Sequence, residues 1–467
     1  MMNALRIGFV ILIAAAFGFG VGILTPRATQ SSEQEDLEFL KARLELLESE
    51  VERLRALAVE HQQSERQEKN NELLPELEDT ASRLRDLPFL KPVMYQEINK
   101  DVLPEFLEQL FRDHYTEEEL EVYRVSMVEF GLLAHDLDFK DAMIRLLSEQ
   151  IAAFFDQTKG HLVTFSDTNL SRPHDRIIMV HELVHALQDQ HYNLDNYELD
   201  RKDNDDQVMA IKSLIEGDAS LVMAHFTQDS LSAEFAIGTL SAAFAQPMEE
   251  LSRAPRFLRE SLVFPYLKGL EFADALYRQG GMGAINRAFQ DPPTSTSQIL
   301  HPEKYFQVPR EDPIEVDWPE SAILGQLPLA TNNFGEFGIQ VWLGEWLPKA
   351  SAVSAAEGWR GDRYAVYDAG HEGRAHIAWL TMWESEQSAS EFLDAVKEAV
   401  SSRYKPGSVE ETTELFSFDH PRAIRVLQPS PSTVLFVDAL EIDFADEAMT
   451  QIAEHFIQPA DEPVLQE

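Results

Sequence analysis

The stretch HELVHALQDQH, residues 181–191, places two histidines four residues apart with a glutamate directly after the first. On a helix, positions i and i+4 share a face, so His181 and His185 can aim imidazole nitrogens at one metal ion. Glu182 lies beside them, placed to take a proton from a water that the metal activates and to pass it to a leaving nitrogen. Peptide hydrolysis needs that pairing of a Lewis acid with a proton-shuttling carboxylate. With 14 histidines among 467 residues, a chance H-E-x-x-H has a probability on the order of a few per cent. The motif is therefore suggestive, and its surroundings carry the rest.

A third ligand has two candidates. His191 stands where the pattern H-E-x-x-H-x-x-G-x-x-H ends, but that pattern needs glycine at its eighth position so that the chain can double back. Here the eighth position is Gln188, a good helix former. If the helix continues, His191 lies about 600° past His185, well away from the metal face. Glu216 is the alternative, within MAIKSLIEGDASLVMAHF, a segment with helical patterning despite Gly217. Glu216 shares a stripe with Met209 and Met223. A glutamate in so apolar a helix is costly to bury unless paired or bound to metal. The bland reading of Glu216 is an exposed helix glutamate. We expect Glu216 to be the third ligand and His191 to cap or pack near the end of the motif helix. Ser220 and Asp189, each four residues past a ligand candidate, could orient a ligand from behind. His174 and His225 are expected to be structural or exposed.

These residues need elements to hold them. HLVTF, 161–165, alternates and reads as a strand; the turn-like SDTNLSRP follows, and Pro173 opens the motif helix. From about Glu72 to Phe155 the pattern is helical. FPYLKGLEFADALYRQGG reads as a helix ending at Gly280-Gly281, and PPTSTSQILHPEKY as a loop. Its His301 and Tyr305 could donate to the oxyanion of a tetrahedral intermediate; alternatively, the loop merely packs over the core. After Phe337, the helices IQVWLGEWL and SASEFLDAVKEAV alternate with the strands RYAVYD, RAHIAWLTMW, AIRVLQ and STVLFVDAL. The tripeptide Arg360-Gly361-Asp362 is read as coincidence.

HELVHALQDQHYNLD followed by SLIEGDAS resembles the gluzincin class of zinc metallopeptidases. More narrowly, it is similar to a group of mostly bacterial proteins with an HELxHALQDQH…EGDA signature. LLSEQIAAFFDQTKGHLVTF, PPTSTSQILHPEKY, GWRGDRYAVY and WESEQSASEFLDAV extend the likeness over roughly residues 85–400. The resemblance implies zinc as the cofactor, His181, His185 and Glu216 as its ligands, and Glu182 as the base. FFDQTKG stands where the group tends to carry a Gly-Phe-Tyr-Asp-like run, and WESEQS where it tends to have Asp after Trp; neither departure touches the site.

Towards the N-terminus, Ile7–Leu24 is a run of 18 uncharged residues between Arg6 and Arg27. That is long enough to span a bilayer. No clean A-x-A site follows it, so an uncleaved anchor is favoured over a cleaved signal peptide. A short N-terminal tail kept inside puts the bulk of the chain outside the cytoplasm, which in a bacterium means the periplasmic side of the inner membrane. Leu37, Leu40, Leu44, Leu47, Val51 and Leu54 then form a heptad seam, a candidate coiled coil through which the chain can self-associate. Gln62–Asn71 reads as a polar linker.

The expected fold class is thus α+β: a transmembrane helix within 1–30, coiled coil and linker over 31–71, a mainly helical zincin-like domain over 72–335, a small α+β domain over 336–458 and an acidic tail over 459–467. The chain carries 81 acidic against 39 basic residues, a net charge of −42, which argues against nucleic acid as a partner. It contains no cysteine, excluding disulfides, thiolate zinc sites and cysteine nucleophiles. P-loop, G-x-S-x-G and dinucleotide fingerprints are absent. Two readings follow: a membrane-anchored zinc peptidase acting on peptides or proteins outside the cytoplasm, and a non-catalytic envelope scaffold with a structural zinc.

Overall fold

The leucine spacing near the N-terminus produces one long helix, α1 (Thr29–Arg85). It appears in a computed structural model that describes residues 29–157, 159–230, 249–319, 323–404, 410–411, 415–418 and 422–457. The expected anchor Ile7–Leu24 and the tail 459–467 lie outside these residues. Among the described residues no helix is long and apolar enough to cross a membrane. The expected linker Gln62–Asn71 is helical, because it lacks glycine and its polar residues are good helix formers; α1 even continues through Pro75.

Contacts divide the chain into two compact units, Met1–Glu68 and Lys69–Glu467. In the first, the seam residues Leu40, Leu44, Leu47, Val51 and Leu54 stand 45–61% exposed. In the second, the end of α1 buries Leu74, Leu77 and Ala81 at helical spacing.

The second unit continues with β1 (Met94–Ile98), α2 (Leu103–His114), α3 (Glu117–Glu129), α4 (Phe139–Gln150), β2 (Ala153–Asp156) and β3 (His161–Phe165). The strands form a small sheet in the order β1-β3-β2, with β1 parallel and β2 antiparallel to β3. The helical reading of Glu72–Phe155 therefore fails at β1 and β2. Each is only four or five residues long, too short for periodicity to separate from a helix, and each is fixed by pairing with β3. Next come α5 (Pro173–Tyr192), α6 (Asp205–Ser230) and α7 (Arg256–Gln290). The backbone of α7 breaks at Gly280-Gly281, where Gly281 takes a φ of 62° open to glycine, and then resumes.

The C-terminal part contains β4 (Ala330–Asn332), α8 (Gly335–Gly344), α9 (Lys349–Ala356), β5 (Trp359–Asp368), β6 (Ala375–Trp383), α10 (Glu386–Tyr404), β7 (Glu410–Glu411), β8 (Leu415–Phe418), β9 (Ala423–Ser430), β10 (Thr433–Ala439) and α11 (Ile442–Ile457). Its seven strands form one antiparallel sheet, β4-β5-β6-β10-β9-β8-β7. Where the sequence suggested separate domains meeting at 335/336, one hydrophobic core runs across. Phe130, just after α3, sits edge-on to Phe334, Tyr364, Trp342 and Trp379 with ring centroids 4.7–6.5 Å apart. Asp362 is buried and accepts hydrogen bonds from the backbone N–H groups of Phe334 and Gly335 and from the indoles of Trp359 and Trp379. The Arg-Gly-Asp tripeptide is thus part of a strand and its core.

Candidate metal centre

The motif helix α5 starts at Pro173 and runs unbroken to Tyr192, where Asn193 in a left-handed conformation ends it. His181 and His185 consequently share one face, and α6 brings Glu216 to it. His181 Nε2 lies 3.1 Å from Glu216 Oε2 and 3.1 Å from His185 Nε2. His185 Nε2 lies 3.5 Å from Glu216 Oε2. A tetrahedral zinc with bonds of about 2.0–2.1 Å spaces its donor atoms about 3.3 Å apart. The three side chains fit that ion without rearrangement. Three mutually close lone pairs otherwise repel unless a proton or cation sits among them.

The charges of these groups stabilise one another. Burial works against the Glu216 carboxylate, but the His185 charge and hydrogen bonds from His181 and His185 outweigh it and hold it well below the usual carboxylate range. Burial likewise opposes charge on His185, yet Glu216, Glu182 and Gln188 together raise it to about 9. Glu182 is 8% exposed, and burial pushes its carboxyl up despite the nearby histidines and a hydrogen bond from the Phe155 backbone N–H on β2.

Behind the site runs a buried chain of hydrogen bonds. His185 Nδ1 lies 2.8 Å from Gln188 Oε1. The Gln188 amide donates to Asp218 Oδ2 at 2.9 Å and to the Ile215 carbonyl at 3.0 Å. Arg85, the last residue of α1, donates to Asp218 Oδ2 at 2.8 Å, both side chains fully buried, and to Asn286 Oδ1 at 2.7 Å. These contacts fix the His185 tautomer, so that Nδ1 carries the proton and Nε2 is left to bind.

A further side chain closes the site. Tyr266 of α7 stacks on His181, with centroids 6.0 Å apart, and donates a hydrogen bond to Glu216. The Glu216 charge and burial raise its hydroxyl well above the ordinary value. It arrives because α6 and α7 cross backbone to backbone: a Cβ on Gly217 would lie 2.1 Å from the Gly269 carbonyl oxygen. The glycine that weakened the helical reading of this segment is what allows the crossing.

The other expected site residues lie elsewhere. Asp189 faces Lys91 at 4.0 Å and accepts from the Leu194 N–H; Gln188, one residue earlier on the helix, orients His185 instead. Ser220 Oγ is buried and finds no hydrogen-bond partner among the described residues. His191 meets the Pro88 carbonyl at 2.7 Å. His301 pairs with Glu336 at 2.7 Å, and the Tyr305 hydroxyl donates to the Asp291 carbonyl at 2.7 Å. The segment that holds them folds into the short helices Thr296–Leu300 and Pro302–Phe306 rather than an open loop. Gln188 was legible as His185's neighbour three residues on; Tyr266 had no local signal.

A pocket of about 230 Å³ opens along the same face of α5, lined by Ala153, Phe165, His174 and Ile178 among others. His174 and Ile178 precede His181 by seven and three residues, so they continue its stripe.

Among known proteins, residues 326–449 are similar to a domain of unknown function, DUF8575. No curated protein and no solved structure matches the chain. The matched segment is C-terminal to every residue of the candidate metal centre.

Proposed function

We propose that the protein is a zinc-dependent peptidase, held at a membrane by Ile7–Leu24 and acting outside the cytoplasm. The observation that carries the peptidase reading is the convergence of His181, His185 and Glu216 beside the buried Glu182. A zinc ion held by these ligands would supply a Lewis acid and bring the pKa of a water close to neutrality. Glu182 takes the proton of the attacking water and delivers it to the amine nitrogen as the peptide bond breaks; its raised pKa suits both halves of that transfer. The Tyr266 hydroxyl, kept protonated by its surroundings, donates to Glu216 and so holds that carboxylate in place. Strand β2 is one of the two outer strands of its sheet and lies against α5, so an extended peptide can pair along it. The pocket beside His174 and Ile178 then receives a side chain of that peptide.

A structural zinc is normally enclosed by four protein ligands, and the described residues supply three. This favours the enzyme over the scaffold. Full-length Glu182→Gln should keep its metal and fold but lose at least a hundredfold in peptide hydrolysis, a typical general-base effect of about 10²–10⁴. Zinc content and peptide-library digestion check it. A variant as active as the wild type overturns the role of Glu182. A wild type that holds zinc but cleaves no peptide leaves the scaffold.

A further inference from the structure

We infer that Lys212, beside the candidate metal centre, is a substrate-specificity residue that binds a carboxylate of the peptide, an inference that rests on the peptidase reading above. Lys212 precedes Glu216 by one helical turn on α6, so the two share a face. Its side chain is exposed to solvent. Crowding by surrounding protein nevertheless pushes its ammonium below the ordinary value, against the opposing pull of Asp205 and Glu216. Lys212 thus stands at the surface one helical turn from Glu216.

Both neighbouring carboxylates are already engaged. Glu216 is bound by the two histidines and Tyr266. Asp205 accepts hydrogen bonds from the side chains of Asn332 and Tyr123. Among the described residues, no ion pair or hydrogen bond holds Lys212. Some other cations of the same unit are paired, among them Lys202 with Glu119 at 2.7 Å, Lys140 with Glu117 at 3.0 Å and Arg201 with Asp203 at 2.5 Å. An ammonium left without a partner beside a candidate catalytic centre is matched by an anion that comes and goes. In a chain of net charge −42, an anionic peptide gains nothing from the long-range field, so its recognition must be local. The carboxylate can be the peptide's own C-terminus or an acidic side chain.

The test uses the full-length zinc-loaded protein and matched peptide pairs. One pair differs only in a C-terminal acid or amide, the other only in Glu or Gln near the cleaved bond. A charge-assisted contact predicts that kcat/KM favours the carboxylate by about ten- to hundredfold in one pair, which also identifies its source. In Lys212→Met that ratio falls to about one, and Lys212→Arg restores part of it. Fluorescence anisotropy with the same labelled peptides measures the preference without turnover. If nothing is cleaved but the anisotropy preference is present and disappears in Lys212→Met, the peptidase reading fails and the carboxylate site stands. Equal treatment of both members of both pairs by the wild type, or an unchanged preference in Lys212→Met, overturns the inference.

Discussion

Gln188 links the metal face of α5 to the protein interior. Its carbonyl oxygen faces His185 Nδ1 while its amide donates to Asp218 and Ile215. Replacing it with alanine frees the His185 ring and leaves Asp218 with one fewer donor. Partners of this kind contribute about 10–100-fold to metal affinity. Gln188→Ala should therefore weaken zinc binding by that factor, measured by competition with a chromophoric chelator; unchanged affinity would show that the hydrogen bond does not orient the ligand. At this scale the sequence was informative where chemistry is local. His181, Glu182 and His185 are visible from spacing, and Glu216 from the cost of its charge in an apolar helix. Asp189 and Ser220 stand four residues past ligand candidates, and His301 and Tyr305 are polar side chains of an expected loop; Asp189, His301 and Tyr305 have other partners, and Ser220 Oγ has none among the described residues. Tyr266 was out of reach, since only the packing of two helices places it over Glu216.

Helix α6 carries the candidate ligand Glu216 and is fixed at two points. Near its middle, Gly217 lets α7 approach to backbone contact. At its start, the N–H groups of Asp205 and Asp206 donate to Asn332 and Asn333, at 2.9 and 3.1 Å, from the segment that begins the C-terminal sheet. Asp206 also accepts from the Thr296 N–H at 2.9 Å and from its hydroxyl. Burial, with Asp362 and Glu336 close by, raises the Asp206 carboxyl to about 7. An unfolded aspartate titrates near 3.9. The folded state therefore holds a proton that the unfolded state has lost between those values. The stability this gives is complete below about pH 4 and is lost as pH rises through 7. Asp206→Asn, which keeps the acceptor without the charge, should show a shallower fall in Tm between pH 4 and 7 than the wild type by calorimetry. Parallel curves would mean that Asp206 is ionised throughout. None of this clasp was legible beforehand, because Asp205 and Asp206 resemble ordinary acidic residues in a helix's first turn.

Across the whole molecule, patterning found the large elements and missed how they join. The strand at 161–165, the motif helix and the main C-terminal strands follow from periodicity. The shared aromatic core around Phe130 does not, because its members are distant in sequence and each has ordinary local surroundings. The leucines of α1 that keep the heptad spacing stand exposed. Everything proposed about function depends on which third residue joins His181 and His185. Zinc content by atomic spectroscopy on purified Glu216→Ala and His191→Ala proteins decides it. The account predicts that Glu216→Ala loses the metal while His191→Ala, whose imidazole meets the Pro88 carbonyl, binds zinc as the wild type does. Zinc retained by Glu216→Ala and lost from His191→Ala would contradict it.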